Sequence, residues 1–220
     1  MAINMHTECL LPQGQKLLGV LKGITHKYNF VLAGGTALAL QIGHRISVDL
    51  DFFSEKSFST DALYREFQKA GLKPIIQQET EGALTAMVNE VKVSMLHYPY
   101  PFLDKRLLWK GIDIAGIIDI AAMKIMAITQ RGAKRGFIDL YFILKDTPFR
   151  KIAENMIQRY GADRLNPVNI GKAIIYFTDA DIDPDPQYCG REKPEWKGIK
   201  KFFVKNVRQM VMDMQEGVGD

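Results

Sequence analysis

Residues 32–53, "LAGGTALALQIGHRISVDLDFF", constrain the fold more than any other stretch of the chain. The apolar run "NFVLAGG" (29–35) is stopped by a glycine pair and reads as a short buried strand. "TALALQIG" (36–43) follows as a short helix with Thr36 at its N-terminus, and "SVDLDFF" (47–53) as a second strand. Side chains on a strand alternate between faces, so Asp49 and Asp51 are expected to point the same way while Leu50 points into the core. Two carboxylates on one face repel unless a cation sits between them. A hard divalent ion is the usual solution, because it takes carboxylate and phosphate oxygens together. Upstream, Gly34 and Gly35 let backbone approach a phosphate closely, and Thr36 adds a hydroxyl to the free N–H groups of a helix start. A glycine turn or a D-x-D pair alone is commonplace. In this order and spacing they describe a phosphate cradle beside a metal-binding carboxylate pair.

The remaining pattern divides the chain. Residues 11–27 have helical periodicity, and 59–71 form an amphipathic helix with Ser59 or Thr60 as cap and Gly71 as stop. Residues 73–99 alternate, with turns at Glu81-Gly82 and Asn89-Glu90, and predict three strands in a meander; 112–116 is one more short strand. From residue 118 the pattern turns helical: 118–132, 136–146, 148–161, 166–177 and a long basic amphipathic helix over 193–215. The expectation is an α/β (α+β) fold, a mixed β-sheet flanked by helices over 1–116, with a helical bundle over 117–220 packed against it. "DADIDPD" (179–185) resembles the start of a calcium loop, but Pro184 stands where glycine is required, so it reads as a polar loop.

The 220 residues are 47% hydrophobic and 25% charged, enough to bury a sizeable core, and the net charge of +4 permits nucleotide or RNA binding without requiring it. Cys9 and Cys189 form neither a metal-ligand spacing nor a disulfide framework, which predicts a reducing, cytoplasmic setting. The first residues lack the pattern of a secretory signal, and no stretch approaches the roughly 18 apolar residues of a membrane span.

"GGTALALQIGHRISVDLDFF" resembles the signature of the nucleotidyltransferase superfamily. More narrowly, "GHRISVDLDFF", "VKVSMLHYPYPF" and "MKIMAITQRGAKRGFIDLYFIL" are similar to the AbiEii/AbiGii toxin family of nucleotidyltransferases, which includes toxins of type IV toxin–antitoxin systems. The resemblance implies that Gly34, Gly35 and Thr36 hold an NTP triphosphate, and that Asp49 and Asp51 ligate Mg²⁺ or Mn²⁺. It implies that Lys124 contacts the nucleotide, with Arg131 seven residues on and Asp139 near the site. Arg45 either contacts phosphate or balances Asp49 and Asp51, and His44 reads as a structural hydrogen bonder. The activity implied is transfer of a nucleoside monophosphate to an acceptor hydroxyl, at a tRNA 3′ end or on a protein, with a cognate antitoxin as partner.

Two positions depart from the pattern. Ser94 in "VKVSML" stands where superfamily members place a third carboxylate, and Glu90, on the same strand face but roughly 13 Å away, cannot replace it. Gly136 stands where an acidic residue is expected. These departures leave a second reading open, a catalytically degenerate nucleotide- or partner-binding module of the same fold.

Overall fold

The computed structural model describes residues 5–218, so the first four residues of the stretch read for a signal lie outside it. The chain forms two compact units: residues 1–101 with 105–115, and residues 102–104 with 116–220.

The first unit is built on a seven-stranded mixed sheet. Its strands are β1 (Val31–Ala33), β2 (Leu50–Ser54), β3 (Ile75–Thr80), β4 (Ala83–Val88), β5 (Val91–His97), β6 (Leu107–Trp109) and β7 (Ile112–Ile114), in the order β3-β4-β5-β2-β1-β7-β6. β1 lies antiparallel to β2 and parallel to β7, while β2 runs parallel to β5. The two hairpins of the meander turn where expected, with Gly82, Asn89 and Glu90 at positive φ. β1 is buried along its length, as a central strand must be, and β3 at the edge is exposed along its length. β6 was not expected, being three residues long and half exposed.

Three helices join this sheet: α1 (Pro12–Lys27), α2 (Gly34–Ile42) and α3 (Thr60–Lys69). Pro12 starts α1, where its missing N–H costs nothing. Ser59 caps α3, its hydroxyl accepting the Ala62 N–H, and Gly43 closes α2 in the left-handed conformation. Phe30, Leu32, Leu38, Leu40, Leu50, Phe52 and Phe67 are buried between these elements.

The second unit holds α4 (Ile117–Gln130), α5 (Lys134–Asp146), α6 (Phe149–Tyr160), α7 (Pro167–Ile174), α8 (Thr178–Ile182) and α9 (Trp196–Val218). Phe137 of α5 is its aromatic hub, with ring centroids 5.2, 5.9 and 5.6 Å from Phe177, Trp196 and Phe203. Two helix starts are capped from far away in sequence. Asp104 accepts the Ile118 N–H at the start of α4 (3.0 Å), and Asp183 accepts the Lys134 N–H at the start of α5 (3.0 Å). The stretch read as a polar loop at 179–185 is therefore corrected: it opens with α8, and Asp181, Asp183 and Asp185 have internal partners. Asp185 pairs with Lys134 (3.0 Å), and Asp181 accepts from Trp196 Nε1 (2.6 Å) and Lys200 (2.9 Å). Lys200 first, then the indole, hold the Asp181 carboxyl below the usual carboxylate range.

Neither Cys9 nor Cys189 is a free thiol, which corrects the reading that the chain carries no disulfide and removes the argument from cysteines to a reducing compartment. No helix among the described residues is long and apolar enough to cross a membrane.

The segment 102–104 is tied into the helical unit by Asp119, in the first turn of α4 and fully buried. Its carboxylate accepts the N–H groups of Leu103 (3.2 Å) and Asp104 (2.9 Å) and the Asn155 amide (2.9 Å), and faces the Arg159 guanidinium at 3.4 Å. Arg159 in turn lies 4.7 Å over the Phe102 ring. Removing one partner of a buried ion pair takes away compensation from the charge that remains. Asp119→Ala is thus expected to destabilise the chain by about 3–5 kcal/mol in urea unfolding. Asp119→Asn, which keeps the acceptor oxygen for one N–H, should cost less.

Candidate functional site

In the first unit, α2 begins at Gly34, two residues earlier than the sequence pattern predicts, so Gly34, Gly35 and Thr36 form its first turn. β2 begins at Leu50, which corrects the premise that both aspartates lie within one strand: Asp51 is in the strand and Asp49 is the residue before it. Both carboxylates are half-buried, while Leu50 and Phe52 are buried.

Gly34 has φ +70°, and a Cβ added there would stand 3.1 Å from Asp51 Oδ2. The carboxylate of the D-x-D pair therefore lies directly over the glycine that starts α2. Gly35 makes room for a different group. A Cβ there would collide with the Arg45 guanidinium and stand 3.2 Å from Ser47 Oγ. Arg45 is buried and donates to the Ile46 carbonyl at 3.1 Å. This places a guanidinium, the free N–H groups of a helix start and a carboxylate around one glycine pair, an environment suited to anionic oxygen with a cation beside it.

Thr36 has hydrogen-bond partners within the fold. It is buried, hydrogen-bonds Ser47 Oγ at 2.9 Å, and donates to the Asp49 carbonyl. Its hydroxyl thus joins the first turn of α2 to the entry of β2. Ser47, which sequence reasoning passed over, is held in turn by its N–H to the Cys9 carbonyl (2.9 Å). The signal was present in "SVDLD", where Ser47 shares the alternating phase of Asp49 and Asp51.

On the neighbouring strands Asp51 is in register with Ala33 of β1 and Ser94 of β5, and Ser94 is in register with Thr85 of β4. Ser94 thus occupies the position beside Asp51, and the row from Ala33 to Thr85 has a single carboxylate. Glu90 lies in the turn before β5, exposed and at φ +64°, and not on the strand face as the alternation predicts. The hard oxygens of Asp49 and Asp51, half exposed beside a helix start, suit a Mg²⁺ or Mn²⁺ ion in donor type.

In the second unit, Lys124 of α4 and the fully buried Asp139 of α5 form an ion pair at 2.6 Å, with the lysine side chain 15% exposed. Asp139 thus faces across to Lys124. Arg131 caps the C-terminal end of α4 with extended backbone, so it does not share a helical face with Lys124, and it is exposed. Arg131 lines an open pocket of about 290 Å³ with Gln130, Lys172, Tyr176 and Asp179. Gly136 is buried against Ile128, where an added Cβ would stand 3.6 Å from Cγ1, an ordinary contact; an acidic group there would meet an apolar side chain.

Two outcomes check this geometry. Gly34→Ala forces a left-handed backbone on alanine and is expected to cost about 1–2 kcal/mol in thermal or urea unfolding before any shift of Asp51 is counted. Lys124→Met removes the cation 2.6 Å from the buried Asp139 and is expected to cost about 3–5 kcal/mol. Lys124→Met combined with Asp139→Leu should recover most of that loss, since two apolar groups replace both ends of the pair.

The family model described as nucleotidyl transferase AbiEii toxin, type IV toxin–antitoxin system, matches residues 17–105 and 111–212. An uncharacterised protein of Aquifex aeolicus (strain VF5), aq_aa25, is 34% identical over 188 residues, covering 82% of this chain and 87% of that protein. Among solved structures, JHP933 from Helicobacter pylori is similar in fold, with a TM-score of 0.57 at 19% identity over 93% of this chain and 92% of its own. MenT4, a nucleotidyltransferase toxin from Mycobacterium tuberculosis H37Rv, gives 0.56 at 15% identity, covering 93% and 90%. At these identities the two structures speak for the fold, and the family match spans most of the chain. The chain with a glycine-started helix facing a D-x-D strand belongs to the AbiEii family of nucleotidyltransferase toxins of type IV toxin–antitoxin systems.

Proposed function

We propose that the protein transfers a nucleoside monophosphate from an NTP to an acceptor hydroxyl. The observation that carries this reading is the position of the Asp51 carboxylate, 3.1 Å from where a Cβ on Gly34 would stand, which supports reading the helix start and the D-x-D pair as one site. In the reaction the acceptor oxygen bonds to the α-phosphorus, the bond to the β-phosphate bridging oxygen breaks, pyrophosphate leaves and the acceptor's proton passes to solvent water. Asp49 and Asp51 would hold Mg²⁺ or Mn²⁺, which when bound neutralises phosphate charge. The N–H groups of Gly34 and Gly35 and the buried Arg45 hold triphosphate oxygens, and Thr36 keeps the turn in place relative to Asp49. The acceptor is a tRNA 3′ end or a protein hydroxyl, and the NTP requirement sets the work in the cytoplasm. The family's toxin–antitoxin context adds a cognate antitoxin as partner.

Ser94 beside Asp51 favours a second reading, a degenerate site that binds nucleotide without turning it over, because serine at neutral pH cannot accept the acceptor's proton as a carboxylate can. The two readings separate in one set of incubations with labelled NTPs, Mg²⁺ and total RNA or protein. Transfer of label by the wild type, reduced at least ~100-fold by Asp51→Asn (~2.7 kcal/mol at the transition state), is the expected result. NTP binding in calorimetry with no transfer, and no gain from Ser94→Asp, would instead establish the degenerate site.

A further inference from the structure

α9 carries more positive charge than its packing uses. Ile199, Phe203, Met210 and Met214 are buried and face the helical unit. Lys197, Lys201, Lys205 and Arg208 are all exposed. At 3.6 residues per turn these four fall within an arc of about 80° and follow one another every ~5–6 Å over ~16 Å of helix. No carboxylate of α9 lies inside that arc. Asp213 accepts from Gln209 (2.8 Å) and Glu216 faces Arg150 (3.8 Å). The contrast with Lys200 is informative. Turned out of the arc, it is the α9 lysine that pairs internally, with Asp181, and lies 5.8 Å over Trp196. The four cations on the arc form no ion pair among the described residues.

We infer that this face of α9 is a seat for the phosphate backbone of RNA. Single cations recurring about once per turn along a line match a polymer that carries one charge per nucleotide, and each phosphate neutralised releases a condensed counterion. A bilayer does not fit, since an interfacial helix needs its apolar face for the membrane and here that face is buried in the protein. An acidic helix can repeat its charge with a similar period, so an acidic protein is carried as a separate arm of the test below. The inference rests on the transferase reading only in making the RNA an acceptor. The binding itself needs neither Asp49 nor Asp51.

The test is fluorescence anisotropy of the full chain with a labelled RNA stem-loop bearing a single-stranded 3′ end, across a salt series. Lys201→Gln/Lys205→Gln is expected to weaken binding at least tenfold near 0.1 M salt. It should also lower the slope of log K against log salt by about 1.4–1.8, two contacts' worth. Lys16→Gln/Lys22→Gln, an equal charge change on α1, should leave both unchanged, and thermal unfolding should be the same for all three proteins because these side chains are exposed. Equal weakening by both pairs, or none by either, overturns the inference. So does dependence on Lys201 and Lys205 for phosphatidylserine vesicles or for an acidic protein while RNA affinity is unmoved. Asp51→Ala should retain full RNA affinity, so a failure of nucleotidyl transfer and a failure of this RNA seat read out separately.

Discussion

The hydroxyl of Thr36 is the constraint on which the candidate site depends. It joins the first turn of α2 to Ser47 and to the Asp49 carbonyl, and so fixes how far the glycine pair stands from the carboxylates. Burial makes the link strict, because a hydroxyl left without partners in that position costs the desolvation of a polar group. With the link in place, Gly34 must lie under Asp51 and Gly35 under Arg45, and neither position has room for a side chain without moving a charged group. The glycines are therefore needed twice, for backbone conformation at Gly34 and for the space that a guanidinium fills at Gly35.

The helical unit is ordered by a different device, buried or half-buried charge bridging elements distant in sequence. Asp119 with Arg159 and Lys124 with Asp139 are each taken out of water, and each is compensated by a partner on another helix. Such pairs add little net stability over apolar replacements, but they penalise any arrangement in which the partners fail to meet. Asp104 and Asp183 act in the same sense, since a helix start capped from fourteen or forty-nine residues away has only one place to sit. Lys124 and Asp139, expected at the nucleotide, are thus also part of the unit's internal framework. A loss of activity on changing either carries information about chemistry only when stability is measured beside it.

What was legible in the sequence follows from range. Local signals placed the elements well: Pro12, Ser59, Gly43 and the Asn89-Glu90 turn act within a few residues, and the meander and helices formed where periodicity set them. The adjacency of the glycine pair and the D-x-D was also readable, because the intervening helix is short. The failures are long-range. The bonds of the Thr36 hydroxyl are not legible, because its partners lie eleven and thirteen residues on. Asp49 was read into a strand that starts one residue later, since alternation does not report where pairing begins. Arg131 was extrapolated along a helix that ends at Gln130, and the aspartates of 179–185 looked like loop acids because their cations sit on α5 and α9. No periodicity in the chain encodes such contacts.

The net charge of +4 gains meaning once its distribution is known. In the helical unit Asp104, Asp119, Asp139, Asp181, Asp183 and Asp185 engage N–H groups, lysines or the Trp196 indole, so their negative charge is compensated within the unit. The formal excess is then concentrated in one place, because Lys197, Lys201, Lys205 and Arg208 form no ion pair among the described residues and stand in line on one face of α9. In the sheet unit the arrangement is the reverse: the half-exposed carboxylates of Asp49 and Asp51 stand beside the helix start and guanidinium that attract anions. An anionic ligand alone would be repelled by those carboxylates, and a cation alone would be opposed by Arg45 and the helix dipole. The local field is best satisfied by both together, as in a metal-complexed triphosphate, whereas the line of cations on α9 has no such internal opposition and suits a polyanion unaccompanied by metal.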